Sequence, residues 1–333
     1  SPYQTLATDV LAPIKSMRHA REQLEHWMRP EAQDAGMPGV QARVEYQPLG
    51  VVGIISPWNF PINLSFGPLA GVFAAGNRAL LKPSELTPRT SDLLAEQIPR
   101  YFDALEFGVV LGDAEVGAAF TAQPFDHLIY TGSTAVGRLV MRAASENLVP
   151  VTLELGGKSP VLVDVDADIK IVAERVLTSK TFNAGQICIA PDYVIAEAPI
   201  RDQLVDRIRA AVQEFEAGNA AGKKIVNERH FNRLTTALAA TKGQVAVGGG
   251  SDPAGLKIQP TVVVDPDPGE PLMTDEIFGP ILPIVTVQSL TEAIDFVNAR
   301  PKPLAAYLFT KTKAVRERVI REVPAGGMVI NHL

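Results

Sequence analysis

Short apolar runs of strand length recur along this chain, and each is separated from the next by a segment of helix length. In the first half the runs are Val51–Ile55, Ala79–Leu81, Val109–Leu111, Leu128–Tyr130 and Val151–Leu153. Helices are predicted between them, at 64–75, 88–98, 113–120 and 134–146. Continuous apolar strands that alternate with helices are typical of a parallel sheet covered on both faces. This alternation therefore places the fold in the α/β class.

A second series of the same kind begins at Pro160–Val163. It predicts helices at 168–182, 200–214, 230–241, 291–298 and 313–321, and strands at 192–196, 258–264, 281–287 and 304–309. The length of 333 residues also suits two domains. We therefore predict two open parallel-sheet domains of Rossmann-like type. The boundary is placed in the Glu154–Lys158 turn, with a first domain at 1–154 and a second at 155–333.

The residues before the first sheet predict a helix at 5–29 and then a hairpin arm at 40–46, where apolar and polar residues alternate. No charged residue lies between Glu45 and Arg78, but prolines interrupt this stretch too often for a membrane-spanning helix. We interpret it as buried core that leads into a functional loop, and we expect no membrane partner.

The charge balance and the cysteine count exclude several function classes. Lys and Arg total 31 and Asp and Glu total 37, so the net charge of −6 argues against a nucleic-acid partner. A single cysteine, Cys188, excludes an internal disulfide and a multi-cysteine metal site. The histidines are scattered, so we expect no metal. One thiol suits a reducing compartment, and we expect the protein in the cytoplasm.

Polar motifs follow the predicted strands at their carboxyl ends, where open α/β sheets bind ligands. Lys82-Pro83-Ser84-Glu85 offers an ammonium and a carboxylate to ribose hydroxyls, but it also reads as an ordinary helix start. Thr131–Gly137 opens a helix whose free N–H groups suit a pyrophosphate, although it lacks one glycine of the usual dinucleotide fingerprint. Asn59, between two prolines, is either a neutral donor to an oxyanion or the centre of a local turn.

The second half contributes candidates for acid–base and nucleophilic chemistry. Glu154 ends an apolar strand before a Gly-Gly pair, so it is either a general base or half of a salt bridge with Lys158. Cys188 follows the polar run Asn183–Gln186, so it is either a nucleophile or apolar filler. Glu276–Pro280 precedes a strand and is either a clamp for a ring or ribose or a simple loop.

Together and in this order, the motifs resemble those of the NAD(P)-dependent aldehyde dehydrogenase family. The similarity covers about residues 40–331 and rests on Pro57–Pro61, Lys82–Glu85, Gly132–Gly137, Glu154–Lys158, Asn183–Cys188 and Glu276–Pro280. The run Cys188–Tyr193 is most similar to the class-3-like branch, and within it to bacterial enzymes that act on coniferyl aldehyde.

The resemblance implies that an aldehyde, aromatic such as coniferyl aldehyde or medium-chain aliphatic, is oxidised to its acid with NAD, NADP being accepted too. It implies that Cys188 is the nucleophile that forms a thiohemiacetal, Glu154 the base for hydrolysis and Asn59 the oxyanion donor. The first domain would bind the dinucleotide and the second would carry the catalytic cysteine. The positions that match the cofactor site are Ile55, Ser56, Trp58, Lys82, Ser84, Glu85, Gly132, Ser133, Val136, Gly137, Leu155, Gly156, Glu276 and Phe278. A homodimer is expected of the full-length chain.

Differences from the family pattern leave other functions open. The chain begins without methionine, lacks the family's Pro-Phe-Gly-Gly segment and has a simpler loop at 216–224. These differences are expected either of part of a longer protein or of a truncated, catalytically impaired nucleotide-binding relative. An acyl-phosphate reductase on the same scaffold would not need a hydrolytic base such as Glu154. A cysteine hydrolase would need a histidine partner, and neither His127 nor His230 lies in a motif of that kind.

Overall fold

The computed structural model describes residues 2–218 and 223–333, so the middle of the predicted 216–224 loop lies outside the described residues. The chain divides into two compact units, Ser1–Leu155 and Gly156–Leu333. Among the described residues, no helix combines the length and the apolar character needed to cross a bilayer.

The first unit begins with helical residues that the sequence predicted as one helix. They form α1 (Pro2–Thr5), a π-helical turn at Leu6–Val10 and α2 (Leu11–Trp27). The hairpin arm follows as an exposed antiparallel pair, β1 (Glu31–Gln33) with β2 (Ala42–Val44). Periodicity alone does not reveal the π turn, because the apolar face continues across it.

A five-stranded sheet forms the centre of the first unit. Its elements in chain order are β3 (Val51–Ile55), α3 (Asn63–Ala74), β4 (Arg78–Lys82), α4 (Pro88–Gln97), β5 (Phe107–Val109), α5 (Ala114–Thr121), β6 (His127–Gly132), α6 (Thr134–Ser145) and β7 (Val151–Leu155). The strands are parallel and stand in the order β5-β4-β3-β6-β7. The order therefore reverses between β3 and β6, which opens a crevice at the carboxyl ends of these strands.

The two faces of this sheet bury separate apolar clusters. Val52 and Ile54 of β3 pack with residues of α3 and α4, such as Leu69. Val51 and Ile55, one position away along the same strand, pack towards α5 and α6. Successive side chains of a strand point to opposite faces, so helices on both sides give β3 an uninterrupted apolar run.

The second unit is built around a seven-stranded sheet. Its elements in chain order are β8 (Pro160–Val163), α7 (Ile169–Thr181), β9 (Tyr193–Glu197), α8 (Ala198–Gly218), α9 (Glu228–Ala239), β10 (Gln244–Val247), β11 (Ser251–Asp252), β12 (Lys257–Ile258), β13 (Thr261–Val264), α10 (Pro271–Thr274), β14 (Ile281–Val287), α11 (Leu290–Asn298), β15 (Ala305–Phe309), α12 (Lys313–Glu322) and β16 (Gly327–Ile330). The order in the sheet is β10-β13-β14-β9-β8-β15-β16.

The predicted fold class is confirmed, and two details of the second sheet differ from the prediction. The edge strand β10 runs antiparallel to β13, whereas the other described pairs of this sheet are parallel. The predicted strand 258–264 is two strands, β12 and β13, because Pro260 lies between them and has no N–H for a sheet ladder. β12 pairs instead with β11 in a small separate hairpin.

Candidate active site

In the first unit, the candidate residues collect at the carboxyl edge of the sheet. Ile55 ends β3 and pairs in register with Lys82 on one side and with Tyr130 on the other. Gly132 at the end of β6 pairs with Leu155 at the end of β7. Because parallel strands end at the same edge, segments far apart in sequence meet here. The crevice where the strand order reverses lies between the ends of β3 and β6.

Lys82 is buried, yet its ammonium stays at the strand end beside a carboxylate. Its Nζ lies 3.5 Å from Glu85 Oε2 and donates to the carbonyl oxygen of Pro83 at 3.4 Å. The Glu85 side chain is 47% exposed, so one carboxylate remains open to a ligand. Ser84 is buried, and its backbone carbonyl accepts a hydrogen bond from Ser91 at 2.8 Å. The motif thus presents one cation and one anion on a fixed turn.

The Thr131–Gly137 segment forms a capped helix start. Ser133 has extended backbone and its hydroxyl accepts the Val136 N–H at 3.4 Å, so Ser133 caps α6. The other early N–H groups of a helix point outwards and carry a partial positive charge. A Cβ at Gly137 would lie 2.8 Å from Leu155 Cδ2, so this glycine lets the helix start pack closely on β7. The helix start is therefore suited to an anionic ligand.

Asn59 lies on the loop that joins β3 to α3, and this loop is held at its far end by a distant carboxylate. Asp9, buried in the π-helical turn, accepts the N–H groups of Ile62 at 3.0 Å and Asn63 at 2.7 Å through Oδ1. No side chain at Ile62 caps α3, so Asp9 supplies the missing acceptor. Burial raises the pKa of Asp9, and the two backbone hydrogen bonds oppose that rise.

The other end of the same loop is held by serines. Ser56 N–H donates to the carbonyl oxygen of Lys82 at 3.1 Å. The Ser65 hydroxyl lies 2.6 Å from the carbonyl oxygen of Pro61 and 2.7 Å from the Ser56 hydroxyl. Trp58 and Asn59, in the middle of the loop, remain partly exposed. The loop is therefore fixed at both ends with its central side chains accessible. Glu154, on the edge strand β7, is also exposed.

In the second unit, Cys188 ends a loop with an unusual backbone. Asn183, Ala184 and Gly185 all have φ between 50° and 72°, in the left-handed region. That conformation costs a non-glycine residue roughly 1–2 kcal/mol, so neighbouring contacts must stabilise it. A Cβ at Gly185 would lie 2.3 Å from the carbonyl oxygen of Gly279, so only glycine permits this approach of the two loops. Cys188 itself is partly exposed.

Several buried side chains hold this cysteine loop. The Gln186 amide donates to the carbonyl oxygen of Asn183 at 2.9 Å and accepts the Val226 N–H at 2.9 Å. Tyr307 donates its hydroxyl hydrogen to the carbonyl oxygen of Ile189 at 2.5 Å. Burial raises the pKa of Tyr307 to about 12, and the negative charge of the Cys188 thiolate contributes to the rise. This last effect places Tyr307 close to the Cys188 sulfur.

Lys180 lies at the end of α7, directly beneath the cysteine loop. Its Nζ donates to the carbonyl oxygen of Pro191 at 2.8 Å. Complete burial lowers the pKa of Lys180 to about 8, while the nearby Asp192 carboxylate favours its charged form. The lysine therefore brings a positive charge below the loop that ends in Cys188.

Glu276 lies against the Gly156–Gly157 turn. Its carboxylate accepts the Gly157 N–H, and a Cβ at Gly156 would lie 2.2 Å from Glu276 Oε2. Burial raises the pKa of Glu276 to about 7; the Asp192 charge adds to the rise, and Lys158 and Lys180 oppose it. Phe278, two residues on, has a left-handed backbone with φ of 50° and is partly exposed. The structure therefore brings the candidates Gly156, Glu276 and Phe278 together.

Lys158 forms a buried ion pair with Asp192. Its ammonium also donates to the carbonyl oxygens of Leu272 at 2.8 Å and Asp275 at 2.9 Å. These acceptors use all three hydrogens of the ammonium. The hydrogens of this ammonium are therefore taken up by groups of its own unit.

Sequence reasoning missed several residues of these sites, among them Asp9, Lys180, Gln186, Asp192 and Tyr307. One of them carried a signal. Lys180 follows the apolar positions of α7 at helical spacing, so a lysine stands on the buried face of that helix. The others acquire their roles through contacts between distant segments. Across the described ranges 2–218 and 223–333, no three His, Cys, Asp or Glu side chains are grouped as metal ligands.

Comparison with known proteins identifies the family to which the chain belongs. The profile of the aldehyde dehydrogenase family matches residues 1–333. The chain is 53% identical over 339 residues to the coniferyl aldehyde dehydrogenase of Pseudomonas sp. (strain HR199 / DSM 7063), covering 98% of this chain and 70% of that protein. It is 46% identical over 295 residues to aldehyde dehydrogenase family 3 member A2 of Rattus norvegicus, and this match covers 87% of the present chain and 60% of that protein.

A solved structure extends the comparison. The Mycobacterium tuberculosis aldehyde dehydrogenase complexed with NAD+ superimposes with a TM-score of 0.89 at 29% identity. The match covers 99% of this chain and 71% of that chain.

Proposed function

Because this chain belongs to the aldehyde dehydrogenase family and thus oxidises an aldehyde to the acid with reduction of a nicotinamide cofactor, we propose that Cys188 is its nucleophile. The observation that carries this assignment is the strained loop at Asn183–Gly185, which ends at the single thiol of the chain. Backbone strain of this kind persists where surrounding contacts enforce it, and it concentrates at functional sites.

The candidate cofactor residues fit a dinucleotide. Lys82, Ser84 and Glu85 would hold the adenosine ribose, because an ammonium and an open carboxylate face the strand end. The start of α6, with Gly132, Ser133, Val136 and Gly137, would hold the pyrophosphate. Ile55, Ser56, Trp58, Leu155 and Gly156 would contact the cofactor along its length, and Glu276 and Phe278 would bind the nicotinamide end. When bound, the nicotinamide ring supplies the hydride acceptor of the reaction.

In the first half-reaction the Cys188 thiolate adds to the carbonyl carbon of the aldehyde and forms a thiohemiacetal. Negative charge develops on the former carbonyl oxygen, and the Asn59 amide and the Cys188 N–H would donate hydrogen bonds to it. As the oxygen re-forms its double bond, the hydrogen on carbon leaves with its electron pair. A thioester on Cys188 results.

In the second half-reaction water replaces the cysteine on the acyl carbon. Glu154 would take a proton from that water, which then attacks the thioester carbon. The carbon–sulfur bond breaks, the acid leaves and the Cys188 thiolate is regenerated. An exposed carboxylate on the edge strand β7 suits this role because solvent water reaches it.

The substrate that we propose is an aromatic aldehyde of the coniferyl type. The 53% identity to a coniferyl aldehyde dehydrogenase supports it over a medium-chain aliphatic aldehyde. We propose NAD as the preferred cofactor, because the exposed Glu85 carboxylate would accept a 2′-hydroxyl and repel a 2′-phosphate. The first unit is then the dinucleotide-binding domain and the second the catalytic domain. A homodimer and a cytoplasmic location complete the proposal, the second because a functional free thiol needs reducing conditions.

The test measures by liquid chromatography the carboxylic acid that is formed from coniferyl aldehyde, benzaldehyde and hexanal. We expect kcat/KM for coniferyl aldehyde to exceed that for hexanal by about tenfold or more. A higher kcat/KM for hexanal would overturn the substrate assignment. Repeating the assay with NADP tests the cofactor preference. We expect kcat/KM to be higher with NAD than with NADP, and Glu85→Gln should reduce the ratio of these two values.

A further inference from the structure

A buried ion pair, Lys158–Asp192, joins three loops of the second unit, and we propose that it is a positioning device for Glu276. By fixing the backbone on both sides of Glu276, the pair would hold this carboxylate where it binds the ribose at the nicotinamide end of the cofactor. The inference rests on the proposed function, in which Glu276 contacts that ribose.

Each polar group of Asp192 binds a residue of another segment of the second unit. The residue is 3% exposed. Its Oδ2 pairs with the Lys158 ammonium, and its Oδ1 accepts the Ile277 N–H at 2.8 Å. Its own N–H donates to the carbonyl oxygen of Ser159 at 2.8 Å. Asp192 therefore ties the segment after the cysteine loop both to the Gly-Gly-Lys turn and to the Glu276 segment.

Lys158 completes the connection from the opposite side. Its ammonium holds the carbonyl oxygen of Asp275, the residue before Glu276, while Asp192 holds the N–H of Ile277, the residue after it. A peptide unit is planar, so one hydrogen bond to each of the two peptides that flank Glu276 restricts both of its backbone torsions. The direction of the Glu276 side chain is thereby set by the ion pair.

Further contacts show that this position is closely defined. Arg233 donates to the carbonyl oxygens of Glu276 at 3.2 Å and Ile277 at 2.6 Å. The Glu276 carboxylate fits against Gly156, where a Cβ would leave no space. A small rotation of the backbone at 276 would move the carboxylate into this turn or away from it.

Orienting the peptide groups beside Glu276 requires charged or polar side chains at positions 158 and 192. A buried ion pair is costly to desolvate, and apolar side chains of similar volume often stabilise a fold as well or better. Apolar side chains, however, offer no acceptor to Ile277 and no donor to Asp275. The pair is therefore explained by the peptide groups that it orients.

The test measures binding of NAD and ADP to the purified enzyme by calorimetry. ADP lacks the second ribose, so it reports on the adenosine end alone. We expect Asp192→Asn to weaken NAD binding about tenfold and to change ADP binding by less than about twofold. Glu276→Gln should do the same, and the double variant should bind NAD no more weakly than Glu276→Gln alone, because Asp192 acts through Glu276.

Two further variants keep the test informative if Asp192→Asn fails to fold. Lys158→Met combined with Asp192→Leu removes one positive and one negative charge together and should fold, yet lose NAD affinity selectively. Asp164→Asn removes another buried carboxylate of the same unit, one that accepts the Thr310 hydroxyl at 2.7 Å, and should leave NAD affinity unchanged.

The outcomes separate this inference from the proposed function. If Glu276→Gln weakens NAD binding and the Asp192 variants do not, the positioning role is wrong and the proposed function stands. If the Asp192 variants weaken ADP as much as NAD, the pair serves the fold alone. If Glu276→Gln leaves NAD binding unchanged, the ribose contact in the proposed function is wrong, and the positioning role falls with it.

Discussion

The thiol of Cys188 is placed by its neighbours. Three successive left-handed residues turn the chain, Gln186 and Tyr307 hold the loop by hydrogen bonds, and Lys180 brings a positive charge beneath it. At the residue scale, the candidate nucleophile thus has a backbone fixed by hydrogen bonds from several sides.

Cys188→Ser is expected to abolish aldehyde oxidation while NAD binding persists. A serine hydroxyl is nearly isosteric, but it is a far weaker nucleophile than a thiolate, so the loop should keep its structure. NADH formation and NAD calorimetry measure the two properties on the same preparation. Turnover within about tenfold of the parent enzyme would contradict the nucleophile assignment.

Glu154→Gln is expected to separate the two half-reactions. Without a base for water, the thioester should form once and then persist, so NADH appears as a burst of at most one equivalent. Stopped-flow absorbance gives the burst, and mass spectrometry of the quenched protein detects the acyl group. An unchanged steady-state rate would assign Glu154 a purely structural role.

The pH dependence of NAD binding should report on Glu276. Its pKa is raised to about 7, mainly by burial, so the carboxyl becomes neutral as the pH falls through 7. A neutral acid is a weaker acceptor for ribose hydroxyls. We therefore expect KM for NAD to rise as the pH is lowered from 8 to about 6, and Glu276→Gln to flatten that profile. The same slope in the Gln variant would place the titration elsewhere.

At the scale of elements, helix α3 depends on a residue 54 positions before its start. Asp9 accepts the first N–H groups of this helix from within the π-helical turn, and the two peptide groups follow Asn59 by three and four residues. The N-terminal helix thereby supports the loop that carries the candidate oxyanion donor.

Asp9→Ala is expected to cost about 1 kcal/mol of unfolding free energy, as the loss of an N-cap does, and to lower kcat as well. Asp113→Ala is the matched control, because Asp113 caps α5 in the same unit through the N–H groups of Glu115 and Val116. Denaturant titration should show similar destabilisation for both. Only the Asp9 variant should lose turnover, and equal kcat values would refute the link to Asn59.

Buried elements were predictable because their apolar runs are continuous. Strands β3, β8 and β14 have the predicted bounds, since buried parallel strands read as unbroken apolar segments between turn residues. Strand β10 was missed, because half of its residues are exposed and its pattern is not continuous. Edge strands in general give a weaker signal of this kind.

The candidate site divides in the same way. The positions of the candidates Lys82 and Glu154 at strand ends were predictable, because the carboxyl ends of parallel strands share one edge. Tyr307 contacts the carbonyl of Ile189 across 118 positions of sequence, and Lys158 contacts that of Leu272 across 114. No local pattern encodes contacts of this range, so such supporting residues emerge only from the fold.

At the scale of the whole molecule, we propose a homodimer of the full-length chain, and helix α6 offers a surface for it. Leu139 and Met141 on this helix are 60% and 54% exposed and flank the buried Val140, so the helix exposes apolar side chains that an interface would cover. Light scattering after gel filtration should give about twice the mass of the chain. Leu139→Asp combined with Met141→Asp should reduce that mass to one chain, and Arg142→Ala on the same helix should not. A monomeric parent protein would contradict the expectation.

The antiparallel strand that borders the second sheet bears on how the protein behaves when it is concentrated. A long, flat sheet edge offers unpaired amide groups to passing chains and so templates fibre growth. β10 is four residues long, its pairing with β13 is interrupted by a bulge between Val245 and Val247, and the left-handed Gly248 and Gly249 follow it. A strand from another molecule could not keep its pairing register along this sheet edge. This side of the molecule is therefore a poor seed for amyloid.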